Sequence, residues 1–278
     1  MSAILLVDNV FSPVQYPDVT LSANEEAGGS EAEQFAALRR ETFWAPTTTN
    51  ADAWMKARHT QPRAINTVCL WAHNLLGKAY QLQISNDDFA SGIETIVSVT
   101  IPSAPGTGDI DDDLGVVTED LMWIKRLAVT RYAHDIRHFV PAMGANQLPN
   151  LTGIVGVSYA FDRDLGELVD ATDFRADQQR SDRGVDGFGT SDIARNGRIP
   201  ISLPSLFDYE AFRFHLQRYD GTATGTPIPA LLIFDEARAE QAVMAHRPTG
   251  RLGFEQNRSY FYPSGKLEYV EHDPREAR

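Results

Sequence analysis

Ala64-Ile-Asn-Thr-Val-Cys-Leu-Trp71 and, shortly after it, Tyr80-Gln-Leu-Gln-Ile84 are the two runs that decide the fold. The first is dense in β-branched and aromatic side chains, which suit a pleated, half-buried surface. In the second, Tyr80, Leu82 and Ile84 alternate with Gln81 and Gln83. A period of two sends the apolar side chains to one face and the amides to the other, so this is a strand with one dry and one wet face. Gly77 marks its start, and the turn cluster Ser85-Asn-Asp-Asp88 its end.

Similar signals lie on both sides. Ala53–Arg58 reads as a short amphipathic strand, and Ile93–Ile101, Leu121–Thr130, His134–Val140 and Gly153–Phe161 as further strands. Pro102–Gly115 is a loop rich in glycine and aspartate. Many short strands, with turn signals between them and no long helix, predict an all-β sandwich or barrel. Upstream, Ile4–Leu21 holds short apolar runs broken by Pro13 and Pro17, as expected of a leading strand or arm. Ser30-Glu-Ala-Glu33 has the form of a capping box, which predicts a short helix over about 30–40. Asp162–Asn196 is polar and poor in large apolar residues, as in a long connection.

The last third reads as α+β. Arg198–Leu203 and Pro229–Phe234 are strands, and Glu236–Val243 a short helix. Ser205 caps a helix carrying Leu206, Tyr209, Phe212, Leu216 and Tyr219 at helical steps. Leu252–Phe254, Tyr260–Tyr262 and Leu267–Val270 form a closing set, with Pro263-Ser-Gly265 as a hairpin turn. The expected organisation is therefore an arm and short helix (1–40), a β-sandwich (41–165), a polar connector (166–196) and an α+β module (197–278).

Composition narrows the function. The chain has 278 residues, 42% hydrophobic and 23% charged, as in a soluble globular protein. Lys+Arg is 25 against Asp+Glu 38, a net charge of −13, which argues against gripping nucleic acid or an anionic membrane. No apolar run reaches the length of a membrane span, and the N-terminus lacks the basic region of a signal peptide. Cys69 is the one cysteine, so no intramolecular disulfide forms; within an apolar strand it reads as a small core residue.

Few residues carry a chemical signal. Asp109, Asp111 and Asp113 alternate as calcium ligands do, with Gly115 and Asp120 close to the expected turn and closing positions. The alternative is a solvated acidic loop. His134 and His138 are four apart, but on a strand and without an evident third ligand. Trp44 and Trp123 are candidates for a sugar platform, with core packing as the alternative. No nucleophile elbow or phosphate loop is present, so no catalytic residue is assigned and no cofactor beyond calcium is expected.

The run from Ala64 through His73-Asn-Leu-Leu-Gly77 to Ser85-Asn-Asp87 resembles galactose-binding-like jelly rolls related to discoidin domains, in the version found in bacteriophage tail and baseplate proteins. Trp44-Ala-Pro-Thr47 is similar to that family's approach to its first core strand, and Leu148–Gly156 to its closing strand. Arg137 stands where the family often has a basic residue in a late strand. His73, Asn74 and Gly77 are then the structural turn between two core strands. Arg198-Ile-Pro-Ile-Ser-Leu203, the Tyr209–Leu216 helix, Pro227–Asp235 and Leu267-Glu268 resemble, more loosely, a β-rich module of tail-tip proteins.

The resemblance implies a mainly β fold: a galactose-binding-like jelly-roll sandwich plus a smaller α+β module. It implies a non-enzymatic virion component of a tail tip or baseplate, assembled in the host cytoplasm as a ring with copies of itself and other tail proteins. The alternative is a carbohydrate-binding, receptor-binding protein that uses the sandwich loops on a host surface glycan.

Overall fold

The computed structural model describes residues 3–38, 41–144, 146–161, 180–181, 184–185, 196–202, 206–246, 255–256 and 263–271. Its strands, in chain order, are β1 (Ile4–Leu6), β2 (Thr20–Ala23), β3 (Ala53–His73), β4 (Ala79–Ser85), β5 (Glu94–Thr100), β6 (Val116–Val117), β7 (Trp123–Val140), β8 (Leu151–Gly156) and β9 (Tyr159–Ala160). They continue with β10 (Arg180–Ser181), β11 (Gly184–Val185), β12 (Asn196–Ser202), β13 (Ala230–Ile233), β14 (Val243–His246), β15 (Glu255–Gln256) and β16 (Pro263–Glu271). The one α-helix among the described residues, α1, spans Leu206–Tyr219. No described helix is long and apolar enough to cross a membrane. The protein is mainly β, and every paired strand is antiparallel.

Three β layers stack face to face. β3 and β7 are long because each crosses from the first layer to the second. Ala53–Arg58 of β3 pairs with β2 and with Asp135–Val140 of β7, and β4 and β5 extend this layer. Further along, Thr67–Leu70 pairs with Trp123–Arg126, and β8 and β6 complete the second layer. Register shifts between Arg58 and Arg63 and between Ile65 and Thr67 mark the corner where the strands bend across. Bulges of this kind let one strand serve two sheets. The sequence suggests four short strands here; polar and proline residues at the corner (Thr60, Gln61, Pro62) break the apolar pattern while the strand continues.

Between these layers lies the jelly-roll core. Met55, Ala57, Tyr80, Leu82, Ile84 and Ile136 from the first meet Val68, Leu70, Trp123, Leu151 and Val155 from the second. Tyr80, Leu82 and Ile84 are buried on the dry face that the alternation predicts, and each such side chain contributes about 1.5–3 kcal/mol by leaving water. The other face of the second layer (Cys69, Trp71, Ile124, Ile154) packs on Ile4, Leu6, Leu231, Ile233 and Met244 of the third sheet. That sheet runs β12-β16-β14-β13-β1-β9. Its far face (Leu5, Val7, Leu232, Val243) packs on Phe212, Leu216 and Tyr219 of α1. Residues 4–6 thus form an interior strand, paired with β13 and β9 and dry on both faces, which explains an uninterrupted Ile-Leu-Leu.

Local expectations change in several places: Gly153–Phe161, expected as one strand, divides into β8 beside β3 and β9 beside β1, and the expected helix Glu236–Val243 is a 3-10 helix over Glu236–Gln241 with Val243 opening β14. Instead of an α-helix over 30–40 there is a six-residue 3-10 helix, Ala32–Ala37, ending at Leu38 in the left-handed region. Its N-cap is Glu31, with no side-chain cap; the Glu31 carboxylate accepts the Gly29 N–H instead. Brevity suits its task, because Phe35 enters the core against Phe11 and His138, and its carbonyl accepts the Thr152 hydroxyl at 2.6 Å. Pro263-Ser-Gly265 is no hairpin turn but the start of β16, paired with Ile201 and Ser202 on one side and with β15 on the other. Proline is tolerated there because a first strand residue can lack an N–H. The expected strands at Leu252–Phe254 and Tyr260–Tyr262, and most of the connector, lie outside the described residues.

Candidate functional site

The bend of β3 and β7 opens a cleft of about 470 Å³, lined by Asp18, Thr20, Arg58, His59, Thr60, Asn86 and His134. That volume is within the range of small-molecule sites. Asp18 precedes β2, Arg58–Thr60 leave the first layer on β3, and His134 enters it on β7. Asn86 opens the loop after β4.

Hydrogen bonds fix the lining. Asp18 accepts the Thr60 N–H at 3.2 Å and its hydroxyl at 2.8 Å, and pairs with Arg63 at 2.7 Å. The Thr60 hydroxyl, with the Arg63 charge adding to it, holds the Asp18 carboxyl below the usual carboxylate range. His59 is buried, with Nε2 2.9 Å from the Val10 carbonyl and Nδ1 accepting from Arg63 Nε at 3.4 Å. Burial lowers its pKa, so the ring is neutral with the proton on Nε2. The His134 backbone N–H donates to Asn86 Oδ1 at 3.2 Å, and its Nδ1 lies 3.1 Å from the His59 carbonyl. A carbonyl can only accept, so Nδ1 is the donor in that contact and Nε2 is the ring nitrogen left for a ligand. Asn86, its Oδ1 engaged, keeps two Nδ2 donors. Arg58, half exposed, pairs with Asp88 at 3.0 Å and lies 3.7 Å from Asp135.

The Ser85–Gly92 loop beside the cleft is rigid by construction. Asp87 accepts the hydroxyls of Ser85 and Ser91, each at 2.6 Å, and the N–H groups of Ser91 and Gly92. With the Ser85 bond largest, these hold its pKa near about 2. Asp88 and Phe89 follow with φ of 60° and 61°, left-handed values that non-glycine residues seldom take consecutively. What the cleft offers is donors and acceptors side by side on stiff elements, suited to adjacent hydroxyls.

Apart from His134, the residues singled out in the sequence are elsewhere. Trp44 and Trp123 are completely buried, so neither presents a ring face to a sugar. Their indole N–H groups donate to the carbonyls of Glu25 and Leu114, and Trp123 meets Tyr80 edge-on. Asp109 and Asp111 do converge with a third carboxylate, but it is Glu236 and not Asp113. Arg126 occupies the convergence, bonding both Asp111 oxygens (2.7 and 2.5 Å) and pairing with Glu236. A guanidinium thus takes the position expected of calcium. His73, Asn74 and Gly77 form the link from β3 to β4. His73 Nδ1 accepts the Leu75 N–H, Asn74 bridges to Leu148 and Asn150, and Gly77 has φ +71°.

His138 is separated from His134, sealed in the core with Nδ1 2.7 Å from the Tyr80 hydroxyl; burial takes its pKa down to about 3. Cys69 is buried and its thiol pKa is pushed up by desolvation. Of the cleft residues, the sequence singles out His134 alone, as half of a metal-ligand pair with His138. For Arg58 the signal is the wet side of the amphipathic stretch Ala53–Arg58, where Trp54, Lys56 and Arg58 alternate with core residues, and Asn86 stands in the turn cluster Ser85–Asp88.

An antiparallel jelly-roll sandwich backed by a third sheet, with a polar cleft at its bend, is the class that fold and site define. No protein-family model matches the sequence, and no curated protein matches it. Among solved structures it is similar to chitosan-binding module 1 of a chitosanase/glucanase from Paenibacillus sp. IK-5. That likeness has 18% identity and a TM-score of 0.39, over 54% of this chain and 98% of that one. A family 32 carbohydrate-binding module of C. perfringens NanJ, solved with galactose, gives 12% identity and a TM-score of 0.39, over 52% and 97% of the two chains. Module 2 of the same Paenibacillus enzyme, solved with chitotriose, gives 15% and 0.38, over 52% and 99%. These likenesses lend nothing to the tail-tip assembly that the sequence resemblance implies.

Proposed function

We propose that this protein binds carbohydrate, without turning it over, in the cleft at the bend of β3 and β7. The observation that carries this reading is the locked pairing of unlike hydrogen-bonding groups there. Asn86 Nδ2 and Arg58 supply donors, His134 Nε2 supplies an acceptor, the Thr20 hydroxyl can do either, and the Thr60 hydroxyl, its proton given to Asp18, can accept. A vicinal diol needs such a mixture. The test is a glycan array probed with the parent protein, Asn86→Ala and His134→Ala. Binding by the parent, weakened at least tenfold in both variants, supports the reading; a parent that binds no glycan removes it.

A second reading, assembly with other chains as a component of a virion tail, has its own support. Val129 and Tyr132 on the outer corner of β7 are 61% and 67% exposed. Two exposed apolar side chains three residues apart at the bend are available to a protein contact. A protein that remains monomeric by light scattering at high concentration argues against it.

A further inference from the structure

From Arg58, at the margin of the cleft, an outer sheet face continues. Along β3 the same outward face carries Lys56 and then Trp54, two and four residues back, which at strand spacing is roughly 7 and 13 Å away. Trp54 is the cross-strand partner of Phe139, and Lys56 of Arg137; Gln81 and Gln83 on β4 pair with those two β7 residues. All face away from the core and are wholly or partly accessible apart from Gln83, which is buried. An outer sheet face is ordinarily covered by small polar side chains. This one has two large aromatics side by side, two amides and three cations.

The charges are unevenly matched. Lys56 and Arg58 share Asp88, and Arg58 also faces Asp135. Arg137 differs: Nε and Nη2 both donate to the neutral side-chain amide oxygen Oε1 of Gln83, at 2.9 and 2.5 Å, and among the described residues no carboxylate pairs with it. Its guanidinium lies 4.1 Å from the Phe89 ring centroid, and 5.8 and 5.7 Å from those of Trp54 and Phe139. Gln83, Phe89 and the left-handed loop thus hold an unpaired cation in place, on a chain whose net charge is −13. Local charge opposite to that of the whole suggests a ligand carrying negative charge.

We propose that the ligand is an acidic oligosaccharide longer than one residue. Its first sugar occupies the cleft, and the chain runs over Arg58 and Lys56 to a second subsite. There Trp54 and Phe139 stack on a ring and Arg137 receives a carboxylate or sulfate. This inference rests on the carbohydrate reading of the cleft and adds the ligand's length and charge.

The experiment uses the full chain on an array of uronate-containing, sialylated and sulfated glycans of one to six residues, with their neutral parents. Calorimetry then follows with the best acidic series at 50 and 300 mM salt. Affinity should rise with chain length, and the acidic member should exceed its neutral parent by about tenfold, the worth of one charge-assisted contact. High salt should reduce that excess. Arg137→Gln should abolish the acidic preference, and Trp54→Ala should return the oligosaccharide to the affinity of the single sugar. Neither should alter single-sugar binding, which Asn86→Ala should lose. Near-UV circular dichroism checks that the variants fold. Single-sugar binding with no gain from length or charge, or oligosaccharide affinity unchanged in both face variants, overturns the proposal while leaving the cleft reading intact. No glycan binding at all removes both.

Discussion

Replacing Arg126 by alanine should turn an internal ion pair into a calcium site. In the parent the guanidinium lies among Asp109, Asp111 and Glu236, whose oxygens fall within 4.8 Å of one another. The contact ties the loop before β6 to the segment after β13. The Arg126 side chain is 21% exposed, so its loss should cost less than that of a fully buried pair, about 2 kcal/mol. What remains is three carboxylates without a cation, a hard-oxygen set that suits calcium. For a site of about 1 mM affinity, 10 mM calcium should return about 1.4 kcal/mol. That corresponds to a rise in Tm of roughly 3–5 °C for a chain of this size. Differential scanning calorimetry of parent and Arg126→Ala, each in calcium and in chelator, reads this directly. The reasoning fails if the variant melts like the parent and ignores calcium, or if the parent is itself stabilised by calcium.

Acid should destabilise the fold through two buried imidazoles. Burial takes His138 and His215 down to about 3, so the folded state refuses protons that the unfolded state accepts near 6.5. Their stabilisation is complete above 6.5 and is lost as pH falls from there toward 3, by about 1.4 kcal/mol for each ring at pH 5.5. Urea unfolding at pH 7.5 and 5.5 measures this, and equal stability at the two would contradict it. Cys69, buried and raised in pKa, should resist Ellman's reagent in the native protein and react once unfolded; prompt native labelling would show that the strand is open. Leu5→Ala in the interior strand β1 should cost about 2–5 kcal/mol in urea unfolding, whereas an arm lying loosely on the surface would lose less than 1.

How much of this was legible in the sequence depends on how far apart the partners lie. The wet and dry faces of β4 follow from Tyr80, Leu82 and Ile84 alone, because a strand's period is a local property. The mainly β class follows from repeating the same signal. The continuity of β3 and β7 does not, since a strand that bends between layers shows its polar corner as an apparent break. Ile4-Leu-Leu6 reads as an arm because its neighbours in the sheet, β13 and β9, are more than 150 residues away. Tryptophan type says nothing of depth: Trp44 and Trp123 fill the core while Trp54 faces outward. Alternation with Lys56 and Arg58 is what distinguishes Trp54. The acidic loop shows its aspartates in sequence, yet the groups that decide its chemistry, Arg126 and Glu236, come from β7 and from beyond β13.

The cleft is where the account is most exposed. Two-dimensional NMR of the labelled protein, titrated with the best-binding glycan from the array, tests it most directly. The account predicts that the largest shifts fall on Asn86, Arg58, His59, Thr60 and His134, and that Asn86→Ala removes them. Shifts confined to any other surface, or a spectrum unchanged by every glycan tried, would contradict it.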